Sequence, residues 1–272
     1  MASRPGPGGR PEPAILGGGP VRAVLFDYGL TLVHFEPPGE AIDAAQEAIA
    51  DCIAAAGHLR PETALLRSAV HDRVEAAVAA HEASGALEEI DVAALEERAF
   101  ADMGLHLEAG LLDRCSTLVQ QAWWGAVRVY PDALAVLGAL RSAGMRIGLC
   151  SNAAWRPASM HDQLRHIGLD TVIDSAVFSG EVGWRKPSPR LFKAALQALD
   201  VAAADAVFVG DRMREDIGGA RAAGMRTVLL ARRQSSLPEA RGDKADAVIR
   251  SLSELPALLV ATAVVTIVGR QN

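Results

Sequence analysis

One short run of side chains limits this chain more than any other. Ala23-Val24-Leu25-Phe26 is apolar throughout and is followed at once by Asp27-Tyr28-Gly29. Uninterrupted apolar residues over a strand's length are what burial on both faces of a parallel sheet requires. The run stops on a carboxylate, and Gly29 is placed to let the chain turn sharply beyond it. Open parallel sheets bind ligands outside the carboxyl ends of their strands, so Asp27 stands where such a sheet does its chemistry. Taken alone, a turn-capping Asp explains the run equally well.

The same pattern returns later. From Val129 onward, strand-like and helix-like stretches alternate. A helix opens at Pro131-Asp132 and closes on Gly144, and Met145 to Cys150 is a buried strand that ends at Ser151-Asn152. A helix near 158–167 precedes a short strand, Ala176 to Phe178. Ser188-Pro189 is a strong helix start, and that helix runs to about Leu199. Ala206 to Gly210 forms a strand ending at Asp211, and a further helix closes on Gly224. Thr227 to Leu230 and Asp246 to Ile249 complete the strands, with Ser253 capping a final helix. Repeated units of this length predict an α/β fold built on a doubly wound parallel sheet.

Between the first strand and the rest lies a different kind of sequence. After Pro37-Pro38-Gly39, residues 40–124 are rich in Ala and Glu, with apolar positions such as Ile42, Ala45, Ile49 and Ile53 at helical spacing. Gly57, Gly85, Gly104 and Gly110 are plausible stops, and four or five helices are expected with no strand among them. The division predicted is a flexible Gly- and Pro-rich tail over 1–20, a Rossmann-like core over 21–36 and 128–262, helices over 37–127, and a tail over 263–272.

Composition narrows the function classes. Of 272 residues, 22% are charged and the net charge is −6, without a basic block, so no nucleic-acid footprint is expected. Cys52, Cys115 and Cys150 are odd in number and widely spaced, which suits reduced core thiols better than disulfides or zinc. Residues 1–20 lack the apolar core of a signal peptide, and the apolar stretch 255–268 is too short for a membrane span and holds Pro256. A cytoplasmic protein without membrane association is expected. The end at 259–268 fits a buried terminal element or a homodimer contact.

Four polar sites therefore fall on the loops of one sheet edge: Asp27 with Thr31, Ser151 with Asn152, Lys186 in Arg185-Lys186-Pro187-Ser188-Pro189, and Gly210-Asp211 followed by Asp216. Each alone has an ordinary reading as a turn residue, a solvated loop charge or a helix first-turn acid. Together and in this order they resemble the motif set of the haloacid dehalogenase-like hydrolase superfamily, in its branch with a helical cap inserted after the first motif. The closing stretch from Ile217 to Met225 is similar to that family as well. The resemblance covers nearly everything from Val21 to about Leu259.

The resemblance implies a phosphohydrolase acting on a small phosphorylated metabolite. Asp27 would be the nucleophile of an aspartyl-phosphate intermediate, and Thr31, Ser151, Asn152 and Lys186 would hold the phosphate. Mg²⁺ would lie on Asp27, Asp211 and the Gly29 carbonyl, with Asp216 binding directly or through water. Backbone amides of the 28–31 turn and beyond Ser151 would complete an anion nest. One position departs from the pattern. Phosphatases of the family usually carry a second Asp two residues after the nucleophile, as acid and base, and here that position is Gly29. His34, near the cap hinge, is a candidate proton shuttle in its place. Alternatives are a slow or non-catalytic phosphate-ester binder, a dehalogenase, and a phosphonatase. Family dehalogenases need no metal, whereas Asp211 and Asp216 retain a metal site. Phosphonatase chemistry needs a cap lysine, and residues 37–127 contain none.

Overall fold

The computed structural model describes residues 19–232 and 244–259. The tail expected over 263–272, nearly all of the one over 1–20, and most of the apolar end 259–268 lie outside the described residues.

Strand β1 (Ala23–Phe26) is fully buried and is followed by β2 (Val33–Phe35). Helices α1 (Glu40–Ala55), α2 (Thr63–Leu66), α3 (Asp72–Ser84), α4 (Val92–Asp102) and α5 (Ala109–Trp124) come next, with a π-helical turn, Arg67–His71, joining α2 to α3. The chain then alternates: β3 (Val127–Val129), α6 (Ala133–Ser142), β4 (Arg146–Ser151), α7 (Pro157–His166), β5 (Ser175–Phe178), α8 (Ser179–Val182), α9 (Pro189–Ala198), β6 (Ala206–Gly210), α10 (Gly219–Ala222), β7 (Arg226–Leu230) and β8 (Ala247–Ile249). Six strands form one parallel sheet in the order β5-β4-β1-β6-β7-β8. The α/β doubly wound architecture read from the sequence is the one observed.

Alternation along β1 explains why it is apolar at every position. Val24 and Phe26 enter a core with Leu137, Leu140 and Leu164 from α6 and α7, while Ala23 and Leu25 pack on Leu191, Phe192 and Leu199 on the other side. The inserted helices bury a core of their own, in which Ile49 and Ile53 of α1 meet Phe100, Leu111 and Cys115. Ile42 and Ala45 are buried on the same face of α1, as their spacing predicts. Cys115 and Cys150 are buried free thiols, and burial pushes them up to about 11 and about 12, which suits inert core residues.

Three local expectations are corrected. Gly110 lies inside α5 rather than ending a helix, whereas Gly57, Gly85 and Gly104 do adopt the left-handed conformation. Ser251, not Ser253, caps the last described helical turn, Leu252–Glu254, and residues 255–259 continue as helix with Leu255 and Leu259 buried. Strands β2 and β3 were not legible. They pair antiparallel, Val33 with Val129 and Phe35 with Val127, at the two ends of the helical insertion. Among the described residues, no helix is long and apolar enough to cross a membrane.

Candidate active site

Sheet register assembles the site. Phe26 lies level with Leu149 of β4 and Val209 of β6, so Asp27, Ser151 and Asp211 emerge within about one residue of each other at one edge. The Asp27 amide donates to the Val209 carbonyl (2.9 Å), which carries the ladder up to the carboxylate itself. Asp27 is 7% exposed. Lys186 Nζ, fully enclosed, lies 2.5 Å from Asp27 Oδ1 and 2.6 Å from Asp216 Oδ1. Ser151 Oγ donates to Asp27 Oδ1 at 3.3 Å and Thr31 Oγ1 to Asp27 Oδ2 at 3.4 Å. One ammonium and two hydroxyls therefore converge on a single carboxylate.

The charges do not balance. Asp27, Asp211 and Asp216 each bring a carboxylate oxygen within 4.8 Å of the others, against the one ammonium of Lys186. Burial, followed by the Asp27 charge, raises the Asp211 carboxyl above its usual range, and its buried Oδ1 has no hydrogen-bond partner. Burial also raises Asp216, against the pull of Lys186. The ammonium of Lys186 resists its own desolvation because Asp216 and Asp27 hold its proton, and its pKa lies above the usual lysine range. Excess buried negative charge around an orphaned carboxylate oxygen suits a hard divalent cation.

Gly210 makes the cluster possible. A Cβ there would lie 2.4 Å from Asp216 Oδ2 and 2.6 Å from its Cβ, so only hydrogen fits beneath the carboxylate. Gly210→Ala is expected to push Asp216 off Lys186 and to cost about 1–3 kcal/mol, the usual range for overpacking. A thermal melt lower than wild type by several degrees checks this; an unchanged melt contradicts the packing assigned to Gly210.

Other residues take places that differ from their expected ones. Asn152 does not offer its side chain to the site: Oδ1 accepts the Lys186 N–H (2.7 Å) and Nδ2 donates to the Lys186 carbonyl (3.4 Å), which fixes the lysine's backbone. The left-handed residue of the first loop is Leu30 (φ 61°), not Gly29, so the sharp turn is made by a residue with a side chain, at a conformational cost. Two amides expected in the anion nest are engaged elsewhere: Leu30 N–H donates to Val33 O and Ala153 N–H to Ser179 Oγ. His34 packs its ring on Tyr130 with centroids 5.0 Å apart, and it does not line the cavity described next.

Two supports had no sequence signal, because their partners lie far along the chain. Arg185, buried beside Lys186, pairs with Glu82 and Glu89 of the inserted segment at 2.7 Å each, tying that segment to the lysine loop. Arg232 pairs with Asp132 at 2.9 Å and donates to the Thr31 carbonyl at 3.3 Å, bracing the first loop from behind. Over the strand ends lies a cavity of about 250 Å³. Its floor includes Gly29, Ser151 and Asn152, and its roof comes from α3 and α5.

Comparison with known proteins agrees with this picture. The profile of the haloacid dehalogenase-like hydrolase family matches residues 21–224. A phosphoserine phosphatase of Thermus thermophilus is 40% identical over 104 residues, which is 38% of this chain and 41% of the relative. An (S)-2-haloacid dehalogenase of a Pseudomonas species is 35% identical over 135 residues, 48% of this chain and 56% of the relative. The chain spans about half the length of the curated relatives it matches. In fold, it is similar to the crystal structure of a 2-haloacid dehalogenase from Pseudomonas syringae pv. Tomato, with TM-score 0.61, 24% identity, and 89% of this chain and 99% of the other covered.

Proposed function

Because the chain belongs to the haloacid dehalogenase-like hydrolase family, we propose that it is a phosphohydrolase of small phosphate monoesters, with Asp27 as nucleophile and the inserted helices as its cap. The observation that carries this reading is the convergence of Lys186 and two hydroxyls on Asp27, beside two further carboxylates. An Asp27 oxygen attacks phosphorus, the P–O bond to the ester oxygen breaks, and the alkoxide leaves and takes its proton from solvent water. Water then cleaves the aspartyl phosphate, restoring Asp27 and releasing inorganic phosphate. Thr31 and Ser151 donate to the phosphoryl oxygens, and Lys186 balances charge on nucleophile and phosphoryl group. Asn152 positions Lys186.

Mg²⁺ fits the acidic cluster and would be held by Asp27, Asp211 and the Gly29 carbonyl. Both Asp216 oxygens are engaged, by Lys186 and by the Arg212 N–H, which favours its acting through water. When bound, the ion offsets the repulsion between a carboxylate and an anionic ester. The same cluster counts against the dehalogenase reading, since displacing halide from an uncharged carbon needs no cation on the nucleophile. No lysine stands among residues 37–127, so an imine-forming phosphonatase has no residue to use.

Gly29 supplies no proton, so esters whose alcohol leaves without help are the better substrates. This is also what favours the second reading, a slow or non-catalytic ester-binding protein. A Cβ at Gly29 would approach only the Phe35 ring, with Cε2 at 3.1 Å and Cζ at 3.8 Å, and Phe35 is 45% exposed and able to give way. Gly29→Asp is expected to raise turnover of alkyl phosphates by about 10²-fold, the lower end for general acid–base catalysis, and to change p-nitrophenyl phosphate turnover far less. Steady-state kinetics on both esters, with Mg²⁺ and with chelator, checks this. Hydrolysis of neither ester by wild type or variant favours the binding-protein reading.

A further inference from the structure

The cavity that would receive the leaving group has an unusual balance of side chains. Its walls are aromatic, with Trp123, Trp124 and Trp155 beside Phe35. Among the described residues, no lysine, arginine or histidine lines it, whereas the carboxylates of Glu75 and Glu82 do. Two nearby guanidinium groups are engaged: Arg185 with Glu82 and Glu89, and Arg156 with Glu96 and Asp113. Lys186 belongs to the reacting centre. Three polar side chains at the cavity, Gln120, Glu75 and Ser159, carry buried atoms with nothing to bond. Gln120, 7% exposed, has neither its amide nitrogen nor its oxygen paired, and Glu75 Oε1 is buried without a partner.

These groups call for a definite kind of ligand. A second acidic group on the substrate would meet Glu75 and the Arg185-paired Glu82, with no cation lining the cavity to receive it, and like charges at close range in a desolvated site are disfavoured. A donor head, ammonium or hydroxyl, would satisfy Glu75 Oε1 and Gln120 Oε1, and a hydroxyl would also accept from Gln120 Nε2, while an apolar body packs on the indoles. An ammonium gains further from the aromatic faces. The geometry points to a phosphate monoester of an uncharged or cationic alcohol with an apolar body, whose distal end donates a hydrogen bond to Glu75 and Gln120. Esters bearing a second acidic group, such as a carboxylate, are disfavoured. Burial raises the Glu75 carboxyl, with Glu82 and Asp72 adding to the rise, and a cation beside it would oppose that rise.

This rests on the phosphohydrolase reading, and the test separates the two. Three small esters are compared on the full chain with Mg²⁺: 2-aminoethyl phosphate, 3-hydroxypropyl phosphate and phosphoglycolate. At least one donor-headed ester is expected to exceed phosphoglycolate in kcat/KM by about 10-fold or more. Binding is measured separately by tryptophan fluorescence on the Asp27→Asn protein, where the same order is expected without turnover. Glu75→Gln should weaken the aminoethyl ester relative to the hydroxypropyl ester, and Gln120→Arg should shift the ratio towards phosphoglycolate. If no ester is turned over but the binding order holds, the hydrolase reading falls and the pocket inference stands. Phosphoglycolate binding as tightly as the other two, or no ester binding at all, overturns the pocket inference.

Discussion

Asp27→Asn is expected to lower kcat on p-nitrophenyl phosphate by about 10⁴-fold or more while the protein remains folded, since loss of a nucleophile removes the reaction path itself. The amide keeps the size and polarity of the side chain. Lys186 retains its ion pair with Asp216 at 2.6 Å, so the buried ammonium is not stranded. With the amide oxygen towards Lys186 and Ser151, those two keep their acceptor, and the Thr31 hydroxyl turns to accept from the amide N–H. The variant should therefore melt close to wild type, and its kinetic loss should appear in kcat at saturating ester rather than in KM alone. Turnover within a few fold of wild type would remove Asp27 from the chemistry.

Lys186→Met is the harsher change, because it acts on stability and activity together. The ammonium is enclosed between Asp27 and Asp216, and removing one member of a buried ion pair costs about 3–5 kcal/mol. What remains is a pair of facing carboxylates with a third, Asp211, close by. Activity should fall by roughly 10³-fold, comparable with losing preorganised charge stabilisation elsewhere. The stability loss has a pH signature. Asp216 is already raised by burial, and without Lys186 it rises further. An acid whose folded pKa lies above its unfolded value destabilises most at high pH, and the penalty fades as pH falls towards the unfolded value of about 4. The gap in Tm between variant and wild type should thus be wider at pH 8 than at pH 5. A gap independent of pH would mean that the lost packing, not the charge, was responsible.

How far the chain could be read in advance follows from what each residue's partners are. Strands β1, β4 and β6 were legible because both their faces are buried, which leaves an apolar run ending abruptly on Asp27, Ser151 and Asp211. The cluster was legible because parallel strands deliver their ends to one edge, whatever the distances along the chain. The β2–β3 ribbon was not, since three-residue strands containing His34 and Arg128 carry no apolar signature. Arg185 read as one basic residue of a loop, because the carboxylates that bury it lie 96 and 103 residues away. Gln120 carried no signal of its own in the sequence, and only the folded cavity shows it enclosed and unpaired. Asn152 sits beside Ser151 at the strand end, and its engagement with the Lys186 backbone depends on how two loops meet.

The most direct measurement of the central claim is chemical trapping of the phosphoryl-enzyme. The protein is mixed with p-nitrophenyl phosphate and Mg²⁺, quenched in acid during turnover and reduced with borohydride, which converts an aspartyl phosphate to homoserine. Peptide mass spectrometry then reads the first loop. The account predicts homoserine at position 27 in wild type and none in Asp27→Asn. Product formation with position 27 recovered only as unmodified aspartate would contradict it.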